Sequence, residues 1–364
     1  MSISPERFCL GGLMKEIDKE YNPEEINSKD ETSYQSSSDQ RFSSNDSIFS
    51  SNFPTLIFYP SLALINKNNE QSNIYTKKNI LTSFGNQKST KILQKSLLDV
   101  SHDTIDNIIK ELSGMFRTII KHRNGNYFCT DLLKVCDKEQ RIRILNEISN
   151  YLSEDCTDEF ANHLIQNLID LSSSEEEYNL ILSSFNDYNK ILMASLSQNG
   201  SFVIQKLIVH IPEKIRKDFN LIIVKLFCIL SRDMYGVCTA KKFIYYTKDE
   251  LILKEILNSL IINFINISSN QYGNYLIQYL LEKWWKTKEG VYLKKLIISK
   301  FQVLMKNHYS AYICDLFIKL CNNEEKKALF SFFNNCKDVK KNIKKKIKLS
   351  QKNDKEEESK NQEE

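Results

Sequence analysis

Residues 270–284 read NQYGNYLIQYLLEKW. A glycine precedes Asn274, Tyr275 and Gln278, and the segment then turns apolar. On a helix Asn274 and Gln278, four residues apart, share a face, and Tyr275 sits about 100° round from the first. The three are expected to point out of one side together. Leu276, Ile277, Leu280 and Leu281 fall on the other side, where they would pack on neighbouring helices. Alone, this is a capped amphipathic helix, and its meaning depends on whether it recurs.

It recurs. The chain reads STKILQKSLL from 89, GNYFCTDLLK from 125, ANHLIQNLID from 161, GSFVIQKLIV from 200, GVCTAKKFIY from 236, GNYLIQYLLE from 273 and SAYICDLFIK from 310, with starts separated by 36, 36, 39, 36, 37 and 37 residues. Seven copies at a nearly constant period mark a repeat array, in which no unit can hide its apolar face alone. The segments between copies, such as EQRIRILNEISNYL (139–152) and VYLKKLIISKFQVLM (291–305), carry apolar residues at helical spacing and have room for two further helices each. Only 9 glycines and 5 prolines occur in 364 residues, too few for many tight hairpins, so the expected fold is all-α.

The ends differ from the array. Residues 1–52 are rich in Ser, Asn, Asp and Glu, cannot bury enough surface to offset chain entropy, and are expected to be disordered. Residues 53–84 begin with the more apolar FPTLIFYPSLALI and are expected to cap the first helices. The repeats span 85–336, and a lysine block followed by an acidic one forms a solvated tail over 337–364. No uncharged apolar run reaches the length of a membrane span and no secretory leader is evident, so no membrane association and an intracellular location are expected. The cysteines, including Cys129, Cys238 and Cys314, form no CxxC pairs and are expected to be free, buried or half-buried thiols. Five scattered histidines offer little to a zinc site, and no metal or cofactor is expected.

The net charge of +4 is permissive only: the first 84 residues carry 8 Lys+Arg against 11 Asp+Glu, leaving 42 against 35, a net of +7, to the rest. The side chains say more. Counting Asn274 as position one, position two across the copies holds Lys91, Tyr127, His163, Phe202, Cys238, Tyr275 and Tyr312. Five of the seven are planar rings, which suit unpaired bases that stack between them and present their edges to amides and hydroxyls. The competing reading packs the rings between repeats and leaves Asn and Gln to cap helices.

These residues resemble the Pumilio, or PUF, family of RNA-binding repeat proteins, fungal members in particular. GNYLIQYLL at 273, NGSFVIQKLI at 199, ANHLIQNLI at 161 and STKILQKSL at 89 carry the resemblance. It implies a curved α-solenoid of about seven three-helix repeats whose concave face binds single-stranded RNA, one base per repeat and antiparallel to the protein. The RNA would be the 3′ untranslated region of messages, for control of translation or stability in the cytoplasm, with protein partners recruited for repression or decay. By the family's rule Asn162 with Gln166 and Asn274 with Gln278 would read uracil, Ser201 with Gln205 adenine, and Thr90 with Gln94 similarly. Asp315 could accept hydrogens from a guanine edge. The chain departs from the family where Asn126 is joined by Thr130 in place of glutamine, in the fifth copy's Val237, Cys238 and Lys241, and in the seventh copy's Ala311, Tyr312 and Asp315. An eighth repeat is absent or reduced to a cap, since EEKKALFSFFNNC alone follows the seventh copy before the tail.

Two other function classes are open. An enzyme is disfavoured, because no GxxxxGK[ST], GxSxG or HExxH motif occurs; His122 and His210 read as surface or helix-end residues. A protein-binding α-solenoid scaffold, or a nucleolar PUF-like ribosome-assembly factor, would fit the atypical fifth and seventh copies. The stretch EKWWKTKEG (282–290) offers either a projecting loop for a partner or a tryptophan packed inside.

Overall fold

The computed structural model describes residues 74–333 and Lys341, and every regular element among them is helical. The expected disordered region 1–52, most of the capping segment and nearly all of the charged tail lie outside the described residues.

The first copy comprises α1 (Lys77–Ser83), α2 (Gln87–Ser96) and α3 (His102–Leu112); the second α4 (Phe116–Ile120), α5 (Gly125–Val135) and α6 (Lys138–Ile148). The third has α7 (Leu152–Asp155), α8 (Ala161–Leu171) and α9 (Glu175–Ser184); the fourth begins with α10 (Tyr188–Leu196) and α11 (Gln198–His210). There follow α12 (Lys217–Ser231), α13 (Gly236–Tyr246), α14 (Glu250–Ser268), α15 (Gly273–Trp284), α16 (Lys288–Lys306), α17 (Ala311–Leu320) and α18 (Asn323–Phe332). The seven motif helices α2, α5, α8, α11, α13, α15 and α17 pack each on the next in one unbroken row. A second row behind them includes α3 on α6, α6 on α9, and α12, α14 and α16 in sequence. One apolar core runs the length of the stack between the rows, from Ile80 through Leu168, Phe227 and Phe264 to Phe317.

The three-helix plan holds only in the first half. Gly114 breaks α3 from α4 at φ 79°, a left-handed conformation that glycine adopts without strain, and Asp187 caps α10 by accepting from the N–H groups of Asn189 and Lys190. The later segments have no such mid-segment stop, and α12, α14 and α16 each cross the stack as a single helix of 15, 19 and 19 residues. With one stop fewer per unit, the outer row there is continuous. One of them, α14, is long and apolar enough by length and composition to cross a membrane, against the sequence expectation. It nonetheless lies between α12 and α16 and buries Ile252, Ile256, Leu260, Phe264 and Ile267.

Trp284 is buried at the end of α15, and the half-buried Trp285 packs edge-on against Phe317 beneath the Lys294 ammonium, 3.8 Å from the ring centroid. Thr287 then caps α16 by accepting from Gly290 N–H, so residues 282–290 form a tight connection and not a projecting loop. Ion pairs tie repeat to repeat: Arg141 of α6 donates to the fully buried Glu177 of α9 at 2.8 Å, and Arg117 and Lys121 meet Asp155 at 3.0 and 2.6 Å. Burial by itself would raise the Glu177 carboxyl, but the N–H of Ser173, the Arg141 guanidinium and the Ser174 hydroxyl together hold it below the usual range.

The glycine that opens the 273 motif is required by close approach. A Cβ at that position would lie 2.3 Å from the Ile267 carbonyl oxygen of α14, and that neighbour is backbone. Gly273→Ala should therefore lower stability by about 1–3 kcal/mol despite alanine's better helix propensity. Urea unfolding followed by circular dichroism measures it; an unchanged midpoint would show that α15 can slide away from α14 without cost.

Candidate nucleic-acid interface

The turn before each motif helix sets the phase of its side chains. Four residues before position one stand Asn86, His122, Asp158, Ser197, Asp233, Asn270 and Asn307, every one able to accept a hydrogen bond. Asn270 Oδ1 accepts from the N–H of Tyr272 and Gly273 at 2.8 and 2.9 Å, and Asp158, Asp233 and Asn307 repeat the arrangement. Ser197 and Asn86 do the same with one N–H each, from Gly200 and Lys88. In the second copy His122 Nδ1 accepts from Asn124 and Gly125, both at 3.2 Å. Burial depresses the His122 pKa, which favours the neutral ring that such an acceptor must be. These turn residues were not read from the sequence, although their fixed offset from the motif could have revealed them.

Position one completes the turn and is not on the surface. Asn126, Asn162, Ser201 and Asn274 are each 1–2% exposed, as is Thr90, while Val237 is buried and Ala311 half-buried. Asn274 Nδ2 donates to the carbonyls of Asn270 and Gln271 at 3.0 and 2.8 Å; Asn162 does so to Asp158 and Glu159, and Asn126 to His122 and Arg123. Thr90 Oγ1 donates to Ser83 and Asn86 carbonyls, and Ser201 Oγ to that of Gln198 at 3.0 Å. The expectation that position one points outward with the ring is thus corrected. The backbone carbonyls of the tight turn need donors, and this side chain is the one within reach.

Position two is outside in all seven copies: Lys91, Tyr127, His163, Phe202, Cys238, Tyr275 and Tyr312 are exposed. Tyr127, Phe202, Tyr275 and Tyr312 leave 51–59% of their surface open, so these rings do not pack between repeats. Cys238 departs from the expectation of buried or half-buried thiols; Cys129 and Cys314 fulfil it. Tyr312 meets the His308 ring edge-on, with centroids 5.8 Å apart.

Position five is half-buried throughout, at Gln94, Thr130, Gln166, Gln205, Lys241, Gln278 and Asp315. Gln166 Nε2 donates to Asn162 Oδ1 at 3.1 Å, and Gln278 Nε2 to Asn274 Oδ1 at 2.9 Å. In these two copies the buried asparagine engages one N–H of the glutamine amide and leaves Oε1 and the other N–H outside that bond. No hydrogen bond joins Ser201 to Gln205, whose amide is unconstrained by it; the Ser201 hydroxyl donates to the Gln198 carbonyl. Gln94 is engaged sideways, donating to Asp131 Oδ2 at 2.5 Å and to the Tyr127 carbonyl at 3.3 Å. Lys241 turns to the Tyr279 ring, 5.7 Å from its centroid. At the helix ends His210 pairs with Asp170 at 2.9 Å, as a helix-end residue should.

The result is a row of exposed rings flanked by half-buried amides, supported from below by buried asparagine and serine. Residues 116–149, 156–183, 191–218 and 263–284 match the Pumilio-family RNA binding repeat. These segments contain position one of the second, third, fourth and sixth copies. Among curated relatives, Pumilio homolog 12 of Arabidopsis thaliana is 23% identical over 199 residues, covering 54% of this chain and 33% of the relative. Suppressor protein MPT5 of Saccharomyces cerevisiae is 24% identical over 205 residues, 54% of this chain and 24% of the relative. The chain thus spans a third or less of these proteins' length. Among solved structures, the RNA-binding domain of yeast Puf5p bound to AAT2 RNA superposes with a TM-score of 0.60 at 20% identity, covering 75% of this chain and 76% of that one. The Puf4 RNA binding domain bound to an HO endonuclease RNA 3′ UTR recognition sequence gives 0.61 at 16% identity, over 74% and 92%. At such identities the likeness establishes the solenoid fold.

The two amide layers separate on mutation. Asn274→Ala frees two turn carbonyls and should lower stability by about 1 kcal/mol, as loss of a cap does. Tyr275→Ala should change it by less than about 0.5 kcal/mol, as an exposed site does. Paired urea titrations test this; a larger loss for Tyr275→Ala would make its ring part of the core.

Proposed function

We propose that this chain, a protein of Pumilio-family repeats, binds single-stranded RNA along the row of motif helices, one base to a repeat. The observation that carries the proposal is the exposed position-two row, with Tyr127, His163, Phe202, Tyr275 and Tyr312 open beside half-buried amides. Unstacked bases would lie between the rings, each gaining about 1–3 kcal/mol per stack. Related repeat domains solved with RNA bound support the reading.

The base edges follow from the amides. In the third and sixth copies asparagine takes one N–H of Gln166 and Gln278, which leaves Oε1 to accept from the N3–H of uracil and the remaining N–H for a neighbouring uracil carbonyl. In the fourth, Gln205 can rotate and the smaller Ser201 leaves room for adenine. Gln94 is held by Asp131 and is the weaker reader, and Asp315 would accept from guanine. Thr130, Val237, Lys241 and Ala311 supply no matching amide. The site is 5′-(G)-U-N-A-U-N-(A)-3′, from the seventh repeat to the first. Its natural setting on this reading is the 3′ untranslated region of cytoplasmic messages, whose translation or stability the bound protein alters by recruiting further proteins.

Two measurements test the proposal. In fluorescence-anisotropy titrations the full chain should bind a short single strand carrying this site more tightly than the same sequence as duplex or as DNA, and Tyr275→Ala should weaken binding by about 1–3 kcal/mol. Equal affinity for duplex would sink the proposal.

The second concerns specificity. In Ser201→Asn, the new Nδ2 should take the turn carbonyls and its Oδ1 should orient Gln205, as Asn162 and Asn274 do for their partners. The preferred base opposite the fourth repeat should shift from adenine to uracil, by roughly 1–3 kcal/mol on the scale of bidentate base contacts. Affinities for four RNAs differing at that base decide it; an unchanged ranking with intact binding would mean that Ser201 and Gln205 do not face a base.

A further inference from the structure

The fifth copy lacks both a ring and an amide at the expected places, yet it carries a ring elsewhere. Position two is Cys238, and seven residues on, two turns further along the same face of α13, stands Tyr245, 61% exposed. No other copy has an aromatic residue at that place; the third has Asp170 and the sixth Glu282. Between Cys238 and Tyr245 on the same face lie Lys241 and Lys242.

The neighbouring helix adds to this face. Lys283 of α15 stands over the Tyr245 ring at 4.6 Å and lies 5.9 Å from that of Tyr279, and Lys241 lies 5.7 Å from the Tyr279 ring. Tyr246 packs edge-on against Tyr245 with centroids 5.0 Å apart and receives Lys242 at 5.9 Å. The same seam between the third and fourth copies is neutralised, since Asp170 pairs with Lys206 and His210 at 2.6 and 2.9 Å. At the later seam the place of Asp170 is taken by Tyr245. Ion pairs among the described residues involve none of Lys241, Lys242 and Lys283. Three ammonium groups without carboxylate partners, set among tyrosine rings, form a site for something both flat and anionic.

Building on the RNA reading of the repeats, we infer that the nucleotide opposite the fifth copy is turned out of the row, its base stacked on Tyr245 and its phosphate held by Lys241 and Lys283. The displacement from Cys238 to Tyr245 is roughly 10 Å along the helix. A base in a single strand leaves its neighbours at the smallest cost, and Cys238 offers no ring to retain it. The strand would then be read by amides at the fourth and sixth copies and anchored without sequence preference at the fifth.

The test uses the full chain and the RNA 5′-GUXAUUA-3′ within uridine flanks, X facing the fifth copy. With 5-iodouridine at X, irradiation should attach the RNA to Tyr245, identified by mass spectrometry. Tyr245→Ala should weaken binding about tenfold while Tyr245→Phe should not. With an abasic residue at X the wild type and Tyr245→Ala should bind alike. Lys283→Gln should reduce the slope of log affinity against log salt by about 0.7, one phosphate's share on a single strand. Attachment elsewhere, or equal affinity of Tyr245→Ala for the unmodified strand while Tyr275→Ala still weakens binding, would overturn this site and leave the RNA reading standing. No binding of any of these strands would overturn both.

Discussion

Both the stack and its exposed row depend on how closely the start of each motif helix approaches the end of the helix before it. At Gly273 the approach leaves no room for a Cβ against the Ile267 carbonyl. A turn so tight directs backbone N–H and C=O groups into a space closed to water, where each needs a partner. Asn270 accepts from two of the N–H groups and Asn274 donates to two of the carbonyls, so the chain's entry angle is fixed by hydrogen bonds at both sides of the glycine. With the helix start fixed, its phase is fixed too, and Tyr275 is held outside while Leu276 and Ile277 go inside. Repetition of that turn puts successive rings in one row, since the motif helices pack each on the next.

The same constraint divides the motif's work. A buried asparagine already committed to two carbonyls has little left to offer a ligand except its oxygen, and in the third and sixth copies that oxygen holds a glutamine. Under the proposed function, position one acts on the base largely by deciding the orientation of position five. An amide free to flip presents donor and acceptor in either order; one fixed by a buried partner presents a single order. The difference between Asn-Gln and Ser-Gln copies is then one of preorganisation as much as of size.

Much of this was legible in the sequence, and what was not has identifiable causes. The period and the outward ring follow from spacing and helical pitch, whereas the fifth position, expected outward with the ring, is half-buried. Asn274 was misplaced because helical geometry alone cannot report a turn's unsatisfied carbonyls; the capping residues at the fixed offset, Asn270 and its six counterparts, held that information. The fused helices α12, α14 and α16 escaped because a period of 36 or 37 residues fits two short helices or one long one, and only the missing Gly114-like or Asp187-like stop decides. Trp284 and Trp285 read equally as loop or core until the Thr287 cap closed the connection.

Charge shows why the row and its shoulder belong together. Elsewhere in the repeats basic side chains meet carboxylates, as where Lys206 pairs with Asp170 or where Arg117 and Lys121 share Asp155. Ring faces, by contrast, carry partial negative potential and hold Lys241, Lys242 and Lys283 near one another without neutralising them. A carboxylate in place of Tyr245 would satisfy these lysines permanently and repel a phosphate. A tyrosine there keeps them in place and leaves their charge available. Under the proposed function, the fifth copy, poorest in amides and rings at the motif positions, is therefore the one where stacking surface and unneutralised charge coincide, and the two features that a single nucleotide requires are supplied by α13 and α15 together.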